Sequence, residues 1–286
     1  YLDAFKAASD AGGGELGLRT PFGAGGYEAA ALSAGLAKGA IADALERGRA
    51  SYALSRPPGH HCLPDYPNGF CLLANIAIGL EAARVEAPGL RAAVLDWDVH
   101  HGNGTEHIYR EREDTLTISI HQERNYPLDT GDADTDARAN INVPLPPGAG
   151  HATYLAAMER IALPALDAFA PDILILACGY DAAAVDPLSR MLATAETFAA
   201  LTAMARDAAA RLCGGRLALV HEGGYSEAYV PFCGHAVFEV LVPDGPKAPD
   251  PFATTFAARQ PGAAFERFAD AHLSDLAAFH KARGNW

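Results

Sequence analysis

The 286 residues exceed the ~100–150 of a common domain, so length admits one large α/β domain or two small ones. Half the residues are apolar and 20% are charged, which excludes a disordered chain, and no apolar run reaches the ~18 residues of a membrane-spanning helix. The 35 acidic residues outweigh 22 basic ones for a net charge of −13, with no Lys/Arg cluster, which argues against tight binding to nucleic acid and for attraction of a cationic substrate.

Cys62, Cys71, Cys178, Cys213 and Cys233 form no CxxC pair, and an odd number does not close a disulfide framework. With no signal-peptide pattern at the start, the expectation is a reduced, cytoplasmic protein that binds neither membrane nor nucleic acid. Its composition leaves homo-oligomer formation open. Tyr1 stands part-way through a helical pattern with no Met before it, so an upstream segment is expected.

Residues 12–26 form a glycine-rich loop with a formal GxGxxG at Gly12, Gly14 and Gly17. A dinucleotide fingerprint needs a strand before it and a helix straight after, and Arg19-Thr20-Pro21 continues the loop instead. From Tyr27, Leu32, Leu36 and Ala40 recur at helical spacing beside Ile41 and Leu45. A short strand is expected over Ser51–Ser55, a helix over 70–86, and strands over Ala92–Leu95 and Thr115–Ile120. Residues 154–169 read as a helix with a kink at Pro164. Ile173–Ala177 is an apolar run typical of a strand buried on both faces. Thr194 is placed to cap a helix striped by Phe198, Leu201, Ala205, Ala208 and Leu212; a strand over Leu217–Val220 and a helix from about 226 to 240 follow. Strands alternating with helices imply a three-layer α/β/α fold around a mainly parallel sheet, and without a linker or internal repeat a single domain over 1–286 is expected.

The polar residues fall where such folds bind ligands, beyond the carboxyl ends of the strands. His60-His61, then Asp96 to Asn103, then His121, Gly179-Tyr180-Asp181 and His221 to Tyr225 each follow an expected strand. Asp98 and His100 are two apart and point the same way on extended chain. With Asp181 they make a set of two oxygens and one nitrogen, the three-ligand pattern of a catalytic divalent metal with an open position. Adjacent histidines after Pro57-Pro58-Gly59 suit a general base beside an electrostatic partner, with Asp96 and Asn103 available to orient them. Tyr225, after two glycines, is placed to stabilise an oxyanion. Asp132, Asp134 and Asp136 imitate an EF-hand start, but Ala137 and Val143 occupy its sixth and twelfth positions, so calcium binding there is not expected. The sequon at Asn103-Gly104-Thr105 lies inside the proposed site and is not expected to be glycosylated.

RPPGHH (56–61), NGFC (68–71), LDWDVHHGNGT (95–105), NINVPL (140–145), PDILILACGYDAAAVDPL (171–188) and HEGGY (221–225) resemble the zinc-dependent histone deacetylase family. The likeness takes in its bacterial class II-like deacetylases and acetylpolyamine amidohydrolases, and runs in order from about residue 27 to 240. It implies an arginase/deacetylase fold that hydrolyses the amide of an acylated amine such as acetyl-lysine. On matching positions Asp98, His100 and Asp181 would hold one Zn²⁺. His61, oriented by Asn103, would be the base and then the acid; His60, paired with Asp96, would stabilise charge; Tyr225 would polarise the scissile carbonyl. Phe70, Tyr126, Gly69, Gly179 and Leu188 would line a tunnel for the substrate's alkyl chain. A potassium ion would lie near Asp96, Asp98, His100 and Ser119.

Some positions depart from the family pattern. Asn103 stands where class I enzymes have Asp, which points to the class II side. Tyr180 replaces a commoner Phe, and Leu72-Leu73-Ala74 replaces part of a Phe-Asn-Asn run. Leu188 stands where some polyamine-directed members carry an acidic gatekeeper, and so leans away from polyamines. Family domains begin several dozen residues before the segment matching Tyr1, and that part supplies an early strand and some of the entrance rim. An arginase-type ureohydrolase would need a second metal where the histidine pair and its partners stand. A non-catalytic acyl-amine binding module would usually have lost a ligand or the tyrosine, and this chain keeps them all.

Overall fold

The computed structural model describes residues 1–135, 137 and 139–286, so Asp136 lies outside the described residues. Helix α1 (Leu2–Asp10) leads into an antiparallel hairpin of β1 (Gly13–Glu15) and β2 (Pro21–Gly23), then the long helix α2 (Gly26–Arg47). The formal GxGxxG is therefore part of a hairpin. Gly13, at φ 114°, lies so close to the facing strand that a Cβ would stand 2.3 Å from the Phe22 carbonyl oxygen.

Next come β3 (Ala50–Ala53), α3 (Asn75–Glu86), β4 (Ala92–Asp96), α4 (Asn103–Tyr109), β5 (Thr115–Gln122) and β6 (Asn140–Leu145). A helical stretch follows as α5 (His151–Ala157), a π-helical turn over Met158–Ala162 and α6 (Leu163–Phe169). The chain continues through β7 (Ile173–Cys178), α7 (Ala195–Cys213), β8 (Leu217–His221), α8 (Val230–Leu241), α9 (Ala253–Ala257) and α10 (Ala263–Ala282).

Strands β3 to β8 form one parallel sheet in the order β3-β8-β7-β4-β5-β6. Side-chain alternation sends each strand's residues to two separate cores. Ala93 and Leu95 of β4, Leu174 and Leu176 of β7 and Leu217 and Leu219 of β8 pack toward Tyr154, Ile161, Phe198, Leu201 and Leu273. Their neighbours Val94, Ile175 and Val220 pack the other way, against Ile41 and Ala44 of α2 and Ile76 and Leu80 of α3. Burying each leucine, isoleucine or valine among them contributes about 1.5–3 kcal/mol, and both faces demand it, which is why these strands read as continuous apolar runs. Helices thus cover both faces of the parallel sheet, the expected three-layer α/β/α arrangement.

Thr194 caps α7 as expected: its Oγ1 accepts from Thr197 N–H at 3.3 Å, and its own N–H donates to Thr197 Oγ1 at 3.0 Å. Pro164, which has no N–H to give its helix, follows directly on the π-helical turn, and the break in regular helix falls there. Two boundaries differ from expectation by four residues or more. The helix expected from residue 70 begins at Asn75, because Phe70 sits at φ 66°, outside helical space. The helix expected from about 226 begins at Val230. Strands β1, β2 and β6 and helices α4, α9 and α10 had no counterpart among the expected elements.

Candidate active site

Beyond Asp96 the chain continues with a period of two. Trp97 and Val99 are fully buried in the core, and Asp98 and His100 turn to the opposite side. Asp181 arrives from the end of β7, where its Oδ1 accepts the Val99 N–H at 2.8 Å. Potential ligand atoms of Asp98, His100 and Asp181 lie within 4.8 Å of one another, all buried. His100 Nδ1 is 3.0 Å from Asp98 Oδ1 and 3.0 Å from Asp181 Oδ2. Its hydrogen bond goes to Asp98, leaving Asp181 Oδ2 buried with no hydrogen bond.

Burial and the charge of Asp98 push the Asp181 carboxyl up. Two carboxylates held together out of water, one with an orphaned oxygen, are unfavourable unless a cation joins them. The backbone is cut away to let them approach. A Cβ on Gly223 would stand 2.1 Å from Asp181 Oδ2, and one on Gly179 would stand 2.3 Å from Asp98 Oδ2. The donor set fits a divalent metal with an open position, and its nitrogen and oxygen ligands suit zinc.

Beside it, the rings of His60 and His61 lie 4.0 Å apart between centroids. His60 Nδ1 is 2.9 Å from Asp96 Oδ2, and His61 Nδ1 is 2.8 Å from Asn103 Oδ1. For His60, burial disfavours charge, but Asp98 and Asp96 outweigh it and raise the imidazole well above its usual range. For His61, burial acts together with the charges of His60 and His100 and lowers it well below that range. One ring is held charged and the other neutral.

His61, His100 and Tyr225 line a cavity of about 730 Å³ together with Phe70, Tyr126, Gly69 and Leu188. Tyr126 stands edge-on to His61 at 5.1 Å and donates its hydroxyl hydrogen to Asn68 Oδ1. Phe70 lies 5.8 Å from the Tyr225 ring on the opposite side. Gly69, at φ 51°, has no room for a side chain, since a Cβ would meet His61 at 2.5 Å and Tyr126 at 2.7 Å. Tyr225 is aimed by its backbone, whose N–H donates to Asp186 Oδ2 at 2.7 Å.

His121 does not join this group. It packs on His101 at 4.8 Å and shares a hydrogen bond with the Gly131 carbonyl, while burial and the charge of His101 hold it down to about 3. Ser119 pairs in register with Asp96, but its hydroxyl is engaged with His121 Nδ1 at 2.9 Å, so the geometry lends a potassium position no separate support. Asp134, of the EF-hand imitation, pairs instead with Arg283 at 2.7 Å.

Two working residues were quoted in motifs without a role. Glu222 Oε2 accepts the N–H groups of Gly59 at 2.7 Å and His60 at 3.0 Å, tying the histidine loop to the end of β8. Asp186 accepts from both Tyr225 and Leu188. The signal was a lone carboxylate in the apolar stretch 182–188 for Asp186, and one beside two glycines for Glu222, where backbone donors are the nearest partners.

A family model for the histone deacetylase domain matches residues 1–241. The chain is 54% identical over 285 residues to a histone deacetylase-like amidohydrolase of Pseudomonas aeruginosa, covering 97% of this chain and 75% of that one. It is 42% identical over 176 residues to the chloroplastic histone deacetylase 10 of Oryza sativa subsp. japonica, covering 60% of this chain and 40% of the relative. Among solved structures, the HDA15 HD domain superposes with a TM-score of 0.76 at 33% identity, over 84% of this chain and 71% of that one. An acetylpolyamine aminohydrolase from Burkholderia pseudomallei gives 0.70 at 34% identity, over 78% and 65%.

Proposed function

This chain belongs to the histone deacetylase family, hydrolases of amides, and from that premise we propose that it removes an acyl group, acetyl foremost, from an acylated amine such as acetyl-lysine. The observation that carries the reading is the orphaned oxygen of Asp181, grouped with Asp98 and with His100, which lines a cavity together with His61, a histidine of neutral partner. Asp98, His100 and Asp181 would hold Zn²⁺, which when bound polarises the scissile carbonyl and acidifies a water. The potassium ion rests on the family resemblance alone. The chain is read as one deacetylase domain, consistent with its single large sheet.

Its own residues divide the remaining work. Asn103 accepts from His61 Nδ1–H, which leaves Nε2 free to take a proton from the attacking water and return it to the leaving amine. His60, held charged between Asp96 and Asp98, balances negative charge as it develops. The Tyr225 hydroxyl donates to the oxyanion, a contact whose loss costs ~10²–10³ in rate where one donor of this kind is removed. Phe70 and Tyr126 grip the alkyl stem and exclude water. A carboxylate and a free amine result.

A panel of acetyl-lysine peptides, acetylated polyamines and small amides tests the reading by following amine release. Hydrolysis of at least the acetyl-lysine members, lost in Asp181→Ala together with bound zinc, is expected. Turnover confined to polyamines would instead favour the activity named for the Burkholderia structural relative. No hydrolysis of any amide by zinc-loaded protein would end the proposal.

A further inference from the structure

What carries the acylated amine is decided at the mouth of the cavity, where the apolar walls meet solvent. Of the side chains lining it, only Arg19 and Asp129 are fully charged, and both are exposed. Arg19 sits at φ 56°, a left-handed conformation that costs a non-glycine residue energy, so its surroundings must hold it there. They do so through a backbone ladder. Leu18 N–H donates to the Pro67 carbonyl at 3.2 Å, Gly69 N–H to Leu18 at 2.9 Å and Phe70 N–H to Arg19 at 3.0 Å. The guanidinium lies over the Tyr126 ring, 5.7 Å from its centroid. The segment that carries Phe70 thus also fixes a positive charge on the tunnel wall. Among the described residues neither Arg19 nor Asp129 enters an ion pair, so neither charge is neutralised by a protein counter-ion.

We propose that Arg19 binds a carboxylate on the carrier, so that the favoured substrate is an acylated α-amino acid with a free carboxylate and its α-ammonium toward Asp129; this deepens the deacetylase reading and rests on it. A guanidinium presents two parallel N–H groups that match a carboxylate, which a lone ammonium does not. The four-methylene stem of an Nε-acyl-lysine is the part that Phe70 and Tyr126 would cover, and its zwitterionic end would then emerge between one cation and one anion. A polyamine or a basic protein tail would set an ammonium against the guanidinium instead. The net charge of −13 draws cations from a distance, but that field is screened beyond ~8–10 Å, and within contact range the charge on the wall acts.

The test uses the zinc-loaded protein and four substrates: Nε-acetyl-lysine, its α-carboxamide, its Nα-blocked acid and the doubly blocked neutral form. Both kcat/KM and the dissociation constant are measured, for wild type and Arg19→Gln. Wild type should favour each acid over the matching carboxamide by about fivefold, the scale of a partly exposed charged hydrogen bond, and Arg19→Gln should bring the ratio close to one. The ratio of acid to carboxamide is read within each protein, so any loss that Arg19→Gln causes through the Tyr126 wall cancels. Equal handling of acid and carboxamide by wild type, or an unchanged preference in Arg19→Gln, would overturn the assignment. Carboxylate-dependent binding abolished by Arg19→Gln, without turnover of any of the four, would uphold Arg19 and overturn the deacetylase reading.

Discussion

His60 and His61 are adjacent in sequence and opposite in electrostatic surroundings. His60 faces two aspartates and is held charged; His61 faces a neutral amide and two other imidazoles and is held neutral. Only a neutral ring with a free nitrogen can take a proton, which is why the base role is proposed for His61 and not for His60. His61→Ala is expected to lower turnover by ~10²–10⁴, the range of a lost general acid–base group, and His60→Ala by less at equal zinc content. Rates of the two variants, with metal measured in each, check this. Greater damage in His60→Ala would reverse the roles.

At the scale of elements, α4 carries a device that fastens the outer strand of the sheet. Glu106 Oε2 accepts from His101 Nε2 at 2.9 Å, Asn142 Nδ2 at 2.8 Å and Asn140 Nδ2 at 3.1 Å, while Oε1 accepts from Thr135 Oγ1 at 2.7 Å. Burial alone would raise this carboxyl, but the bond and charge of His101, with the amide of Asn142 and the hydroxyl of Thr135, lower it to about 2. The folded state therefore binds fewer protons there than the unfolded chain, whose carboxyl titrates near ~4.3. Its stabilisation is complete above that pH and is lost as pH falls toward 2. Glu106→Gln should be less stable than wild type at pH 7, with the gap narrowing below about pH 4.5. Denaturant midpoints from pH 7 to 3 measure it, and a constant gap across that range would contradict the account.

The same device explains what the sequence hid. β4, β7 and β8 are apolar on both faces and announce themselves as runs. β6 alternates Asn140 and Asn142 with Ile141 and Val143, and those amides read as loop until Glu106 is seen to satisfy them. The start of α3 was misjudged because Cys71, Leu72 and Leu73 are buried in a turn that has the composition of a helix. α4 is a short helix whose first residue, Asn103, looked like part of the loop after β4. The metal-type triad and the histidine pair were readable since each lies at a strand end in a polar motif. Glu222 and Asp186 were not, because their partners are backbone N–H groups that no spacing rule exposes.

At the scale of the molecule, a parallel sheet buried on both faces brings the ends of β4, β5, β7 and β8 to one edge, and the residues proposed for the chemistry come from that edge or the loop at Gly59 to Phe70. No helix among the described residues is long and apolar enough to cross a membrane. The five cysteines are all free and buried, and none lies in the Asp98–His100–Asp181 cluster, so the metal set is one of carboxylate and imidazole. Such a set offers three protein ligands and, on the proposed reading, would bind one ion per chain with a position left for substrate. Titrating chelator-stripped protein with Zn²⁺ while following release of amine from an acetyl-lysine peptide tests this most directly. The account predicts no hydrolysis at the start and a linear rise that stops at one equivalent; full activity in the stripped protein, or a rise continuing to two equivalents, would contradict it.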